Sequence, residues 1–132
     1  MWAAGKAYPL PMSKRTLMVF CLLTAGFGCS SEPELPKIDC ATVATVPTYN
    51  QASIFQVCNQ CHSATKTGDD RHDAKMDVNY DTYAAAKNSA EDAAAEVNGG
   101  DMPPKDPGIE LRAITDDEKT ALYQWALCGT PQ

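Results

Sequence analysis

Two cysteines and a histidine stand together in the pentapeptide Cys58-Asn59-Gln60-Cys61-His62, and this spacing constrains the chain more than any other feature. On one helical turn, two thiols three residues apart can each add to a vinyl group of the same porphyrin, and the adjacent imidazole is directed at the iron from one face. The C-x-x-C-H pattern is typical of covalent c-type haem attachment. We therefore expect one haem c, with thioethers at Cys58 and Cys61 and with His62 as the proximal iron ligand.

Two other kinds of site use similar residues. A thioredoxin-like redox pair also has the C-x-x-C spacing, but it lies beside a βαβ pattern, and no strand of a parallel sheet is indicated upstream of Cys58. A tetrahedral zinc site would need four ligands, which here would be Cys58, Cys61, His62 and His72. Because zinc ligands usually come from well-spaced pairs, a histidine directly after a cysteine fits such a site poorly. Haem attachment is favoured over both.

The first 28 residues have the pattern of an export signal. A cationic stretch at residues 12–15 precedes an apolar run over residues 16–27, and small residues surround Cys29. The run is shorter than the roughly 18–20 apolar residues that span a bilayer as a helix, so we predict a signal peptide over residues 1–28. Met12 is a candidate for the true start of translation, since a proline-interrupted stretch precedes the cationic residues.

The remaining length is enough for one small domain, which we divide into an N-terminal tether over residues 29–48 and a haem domain over residues 49–132. The whole chain has a net charge of −6. Removal of the signal leaves 8 basic and 17 acidic residues, a net charge near −9. Nucleic-acid binding requires a basic face and is therefore excluded, whereas a redox partner with a basic docking face is compatible with this charge.

Helical periodicity indicates an all-α class with three to four helices and long loops, because strand-type alternation is nowhere sustained. The first helix is predicted over residues 49–61, where Ile54 and both cysteines of the motif share a face. An alanine-rich stretch predicts a helix over residues 81–97. A capping box from Thr115 to Glu118 predicts the start of the last helix, which would end just before Gly129 and place Trp125 in the core.

The chain resembles small monohaem class I cytochromes c over about residues 49–129. The segment Gly99-Gly100-Asp101-Met102-Pro103-Pro104 is similar to the sixth-ligand segment of that family, in which a methionine before proline supplies sulfur to the distal side of the haem. The resemblance implies a cytochrome c-like fold wrapped around the haem, with the last helix crossing the first, and iron ligation by His62 and Met102. The glycines permit a tight turn and the prolines exclude a helix, so this loop would hold the thioether in place.

Two other side chains compete with Met102 for the sixth position. His72 and Met76 both lie in the polar stretch 65–77, which we interpret as a solvated loop. A bis-histidine centre that uses His62 and His72 remains the alternative to His62/Met102 ligation.

Ligation by His62 and Met102 would leave the iron without an open position, so the resemblance implies an electron carrier rather than an enzyme. Sulfur ligation predicts a low-spin centre of positive potential. Two alternatives stay open at this point. One is a haem enzyme or gas sensor with an open sixth position. The other is a cytochrome-like subunit of a larger respiratory complex.

The other four cysteines fit an exported protein. Cys21 lies within the signal, and the residues before Cys29 resemble a bacterial lipoprotein cleavage site, where a small residue precedes a cysteine that becomes lipidated. The resemblance implies a periplasmic protein anchored to the membrane by a lipid on Cys29, and Ser30 favours the outer membrane. Cys40 and Cys128 remain as an even pair in an oxidising compartment, so we expect a disulfide between them, the alternative being two unpaired thiols.

Overall fold

Four α-helices, connected by loops and short 3-10 turns, make up residues 33–132, which are the residues that the computed structural model describes. The helices are α1 (Phe55–Cys58), α2 (Tyr83–Asn88), α3 (Ala90–Gly99) and α4 (Asp116–Leu127). Within these residues there is no strand, which confirms the all-α class. The predicted signal peptide, the Met12 start and the Cys29 lipid site lie outside the described residues.

Helix α4 begins as the capping box predicts. The Thr115 hydroxyl accepts a hydrogen bond from the Glu118 backbone N–H at 3.2 Å, and the Glu118 carboxylate accepts one from the Thr115 N–H at 3.0 Å. The helix ends before Gly129, whose φ of +108° lies in the region that only glycine adopts without strain. Both boundaries of this helix were therefore predicted correctly.

The continuous helix predicted over residues 49–61 is wrong. Tyr49–Gln51 forms a separate 3-10 turn, because the Gln51 side chain accepts a hydrogen bond from the Thr48 N–H at 2.9 Å and closes the turn locally. The ψ of 83° at Ala52 then lies outside the helical region, and α1 starts only at Phe55.

Helical hydrogen bonding nevertheless continues through the pentapeptide. The backbone N–H groups of Cys61 and His62 both donate to the carbonyl of Cys58, at 3.1 and 2.8 Å. The two cysteines and the histidine therefore occupy a single turn at the end of α1, as the C-x-x-C-H interpretation requires.

The helix predicted over residues 81–97 is two helices. Ser89 has φ −119° and ψ 24°, which interrupts the helical backbone between α2 and α3. The physical reason is local, since Asn88 and Ser89 have side chains that compete with the helix for backbone hydrogen bonds. Helix α3 then continues to Gly99 and is terminated by Gly100 in the left-handed conformation.

The core lies where α3 packs against α4 and where aromatic rings from three parts of the chain meet. The ring of Phe55 lies 5.1 Å from that of Trp125 in an edge contact and 5.8 Å from that of Tyr80 in a stacked one. Trp125 is fully buried, as predicted, and its Nε1 donates to the Pro131 carbonyl at 2.8 Å. The other core residues are Ala52, Ile54, Ala86, Ala90, Ala93, Ala94, Val97, Leu122 and Ala126.

A disulfide and a side-chain hydrogen bond are among the contacts that attach the segment before α1 to the helical core. The Sγ atoms of Cys40 and Cys128 are 1.97 Å apart, at disulfide-bonding distance, and they join residues separated by 88 positions. The Asn98 side chain donates a hydrogen bond to the Glu34 carbonyl at 2.8 Å. None of the helices within residues 33–132 combines the length and apolar content that crossing a membrane requires.

Candidate functional site

The His62 ring is held by one hydrogen bond to the backbone. Its Nδ1 lies 3.2 Å from the carbonyl oxygen of Val78, which can only accept, so the proton of the ring is on Nδ1 and the lone pair is on Nε2. The backbone N–H of Tyr80 donates to the His62 carbonyl at 2.9 Å and joins the two ends of this loop. A histidine whose other ring nitrogen is fixed in this way is typical of metal ligands.

The surroundings of His62 favour the neutral ring. Burial lowers its pKa, the hydrogen bond to Val78 raises it, and the charge of Arg71 lowers it further. The Tyr80 ring packs edge-on against the imidazole, with centroids 5.3 Å apart. The imidazole is therefore held in the uncharged form that binds a metal ion.

The two cysteine thiols of the motif are unpaired, with Cys61 buried and Cys58 half-buried. Burial raises the pKa of both thiols, and that of Cys58 to about 12. Redox-active cysteine pairs need the opposite, because the reactive species is the thiolate. Since the described residues also lack a strand, the thioredoxin-like alternative has no structural support.

The zinc alternative is also unsupported. Within residues 33–132, no group of three or more His, Cys, Asp or Glu side chains is arranged to hold a metal ion. His72 in particular does not join the pentapeptide in a tetrahedral set. The residues of the pentapeptide fit haem better, because haem attachment needs two thiols and one imidazole on one turn and brings its own iron.

Arg71 was not identified from the sequence, although it organises the loop that follows the pentapeptide. Its side chain is only 2% exposed, so the interpretation of residues 65–77 as a fully solvated loop is wrong at this position. Within the described chain it has no carboxylate partner, and its guanidinium donates to oxygens of the same loop. These acceptors are the carbonyls of Ser63, Lys66, Ala74, Lys75 and Val78 and the side-chain oxygen of Asn79.

Met102 lies at the start of an exposed loop directly after α3. Its backbone N–H donates to the Glu96 carbonyl at 3.2 Å, and the residue is 36% exposed. Among the described residues, no contact found in the structure joins the side chain of Met102 or of His72 to His62. The structure thus fixes the His62 ring and places Met102, His72 and Met76, the three candidates for the sixth position, in loops.

Those two loops are neighbours. A side-chain carbon placed on Gly108 would lie 3.4 Å from His72 Nδ1, so the loop that begins at Met102 reaches the loop that contains His72. His72, Met76 and part of Arg71 line a cleft of about 480 Å³ on this side. His72 itself has a left-handed backbone, with φ +49°.

Comparisons of the chain with models of protein families, with curated proteins and with solved structures found no match. A function for this protein is therefore inferred from the geometry of the described residues. The most specific feature of that geometry is a neutral, backbone-fixed imidazole on the same turn as two protonated thiols.

Proposed function

We propose that this protein is a cytochrome c-like electron carrier with one haem c bonded through Cys58 and Cys61. The observation that carries the proposal is the hydrogen bond between His62 Nδ1 and the Val78 carbonyl, which leaves Nε2 as the only ring atom able to bind iron. When bound, the haem supplies a one-electron ferric/ferrous couple at this turn.

The fold of the proposal is that of class I cytochromes c. The contact between Phe55 in α1 and Trp125 in α4 supports it, because that family packs its last helix across the first, beside the haem edge. The hydroxyl of Ser53 also donates to the Glu118 carboxylate at 2.7 Å, which connects the start of α4 to the residues before α1.

Met102 is the proposed second axial ligand. His62 and Met102 together would fill both axial positions, which disfavours substrate chemistry and favours outer-sphere electron transfer. Sulfur in the sixth position stabilises the ferrous state, so the potential should be positive. A sulfur-to-iron charge-transfer band that is present in the wild-type protein and in His72→Ala, and is lost in Met102→Ala, is the expected result; loss of the band in His72→Ala alone would contradict it.

The decisive experiment is the absorbance spectrum and mass of the exported, matured protein. We expect a reduced-minus-oxidised haem spectrum and a mass increase of one haem that survives denaturation. The double variant Cys58→Ser/Cys61→Ser should lose both signals, whereas Cys40→Ser/Cys128→Ser, which alters two cysteines outside the pentapeptide, should keep them. A colourless wild-type protein with the mass of its amino acids and any lipid alone would overturn the proposal.

A second candidate function is a haem enzyme or gas sensor with an open sixth position, and the exposure of Met102 is the observation that favours it. Carbon monoxide separates the two functions. Rapid binding to the reduced protein would indicate an open position, while slow or absent binding would indicate that a side chain occupies it.

The proposal includes export and a lipid anchor at Cys29, with the acidic domain facing redox partners in the periplasm. Palmitate labelling should be present in the wild-type protein and absent in Cys29→Ala. Stable co-purification of a respiratory complex, together with no electron exchange by the isolated protein, would instead favour the role of a subunit.

A further inference from the structure

A buried arginine and the proposed iron ligand share one backbone acceptor. The Val78 carbonyl accepts from His62 Nδ1 at 3.2 Å and from Arg71 Nη2 at 3.1 Å. The guanidinium also donates to the Ser63 carbonyl at 2.6 Å, directly beyond the pentapeptide. The cation is therefore one carbonyl group away from the imidazole.

Arg71 has no ion-pair partner among the described residues. All its acceptors are neutral oxygens, and within residues 33–132 the salt bridges are those of Arg112 with Glu118 and of Lys119 with Asp116. In a buried position such a charge is poorly screened, and its effect on a neighbouring group is larger than at the surface.

Two donors on one carbonyl compete with each other. A hydrogen bond from a charged donor is about twice as strong as one from a neutral donor, so Arg71 weakens the acceptor that Val78 offers to His62. A more weakly bonded Nδ1–H leaves less negative charge on the imidazole, and the ring becomes a weaker electron donor through Nε2. Less donation disfavours the ferric state, which carries one more positive charge than the ferrous state.

We propose that Arg71 is a positioning residue that raises the reduction potential of the site, through the Val78 carbonyl it shares with His62 and through its own buried charge. The inference depends on the proposed function, because it needs iron on His62. Both effects act in the same direction, toward the ferrous state.

The main test is the midpoint potential of the haem-loaded variant Arg71→Gln. We expect the ferrous-to-ferric ratio at a fixed applied potential to fall on the order of tenfold, which is 59 mV for a one-electron couple. Lys75→Gln is the matched control, because it removes one positive charge from an exposed side chain of the same loop. Its potential should change much less.

A second variant leaves the arginine in place, which matters because loss of Arg71 removes many hydrogen bonds at once. Arg71 Nη1 donates to the Asn79 side-chain oxygen at 3.0 Å, so Asn79→Asp puts a carboxylate on the guanidinium with almost no change of shape. The charge of Arg71 is then offset, and the potential should again fall below that of Lys75→Gln.

A spectroscopic measurement separates this role from a merely structural one. In the ferrous protein, the nuclear magnetic resonance of the His62 Nδ1 proton should move downfield in Arg71→Gln, because Val78 then accepts from the imidazole alone. Potentials of Arg71→Gln and Asn79→Asp equal to that of Lys75→Gln, in protein that carries its haem, would overturn this inference alone. A colourless wild-type protein would overturn the proposed function and this inference with it.

Discussion

The two sides of the proposed site differ in how the polypeptide orders them. The proximal segment, residues 62–80, is closed by the hydrogen bond from the Tyr80 N–H to the His62 carbonyl and filled by the buried side chain of Arg71. The distal loop, residues 101–113, is bonded at its start to Glu96 and at its end through Arg112. Between these ends, residues 103–111 of the described chain form no hydrogen bond.

The chain orders one side of the proposed site by itself and leaves the other side without internal hydrogen bonds. The His62 side is preorganised, because its hydrogen bonds exist before any iron is present. Residues 103–111, which follow Met102, lack such bonds in the described chain, so under the proposed function their order would come from contacts with the haem, at a cost in conformational entropy. Removal of the iron from a haem-loaded protein should therefore disturb the distal loop first.

The largest expected effect is a loss of stability of the whole domain, which should not change the difference in order between the proximal segment and the distal loop. Cys40→Ser/Cys128→Ser opens a loop of 88 residues, and the chain-entropy relation gives a loss of roughly 4–5 kcal/mol in the free energy of unfolding. Urea titration measures it, and reduction of the wild-type disulfide should give the same midpoint. If the variant loses protection selectively in the proximal segment, the disulfide and not Arg71 orders that segment.

Arg71→Ala should remove the difference in order between the proximal segment and the distal loop. It removes the donor from the carbonyls of Lys66 and Ala74, which accept from no other group among the described residues, and each unsatisfied group costs about 1–3 kcal/mol, so a loss of about 3 kcal/mol is expected. Hydrogen exchange should then be nearly as fast in the proximal segment as in the distal loop. Lys75→Ala, at an exposed position of the same segment, should leave the exchange rates unchanged. Retained protection in Arg71→Ala would show that the segment does not need the guanidinium.

A smaller effect on stability is expected from the ion pair of Arg112 with Glu118, which holds the end of the distal loop. The hydrogen bond from Arg112 holds the pKa of Glu118 well below its ordinary value of 4.5, with help from the Thr115 backbone and Ser53. Because the folded pKa is the lower one, this carboxylate stabilises the fold above pH 4.5, and the contribution is lost as the pH falls toward the folded value. The pair is near the surface, so the effect is modest and weakens with salt.

The measurement is the urea midpoint of Glu118→Gln and of the wild-type protein between pH 7 and pH 3. The variant should be less stable at pH 7, and the gap should narrow as the pH falls below 4.5. Asp117→Asn is the control, because Asp117 is an exposed acid of the same helical turn. A gap that is constant with pH would contradict ionisation of Glu118 as the cause.

The smallest effect on stability is expected at Met102. Exposed side chains change the free energy of unfolding by about 0.5 kcal/mol or less when truncated, so Met102→Ala and Met76→Ala should both be nearly as stable as the wild-type protein. Only Met102→Ala should lower the reduction potential and abolish the sulfur-to-iron band. Equal potentials for the two variants would assign the sixth position to another group.

The local parts of the fold were predictable from the sequence. The capping box at Thr115 and the turn of the pentapeptide depend on residues three or four positions apart, and both appear in the structure. The pairing of Cys40 with Cys128 followed from their number and compartment and lies at bonding distance. Sixth ligation by Met102 stays a prediction.

Other parts depend on contacts that no local pattern records. Arg71 stands in a run of polar residues without periodicity, and its acceptors are backbone carbonyls, which every residue has. It is buried in a loop whose ends are joined by the hydrogen bond between Tyr80 and His62, two residues far apart in the sequence. The interruption at Ala52 was missed because alanine is itself a good helix former, and the one at Ser89 because the surrounding alanines outweigh two weak helix formers, Asn88 and Ser89.

The long separation of Cys40 from Cys128 has a consequence for how the chain matures. In an unfolded chain, Cys40 meets Cys58, which is 18 positions away, more readily than Cys128, which is 88 away; the loop-closure relation puts the difference at about 1.4 kcal/mol. Oxidation before folding therefore favours a mispaired product that consumes one of the thiols of the pentapeptide. Recombinant production should yield the isomer with the Cys40–Cys128 disulfide only when the thiols of the pentapeptide are blocked or have already reacted before the oxidant acts.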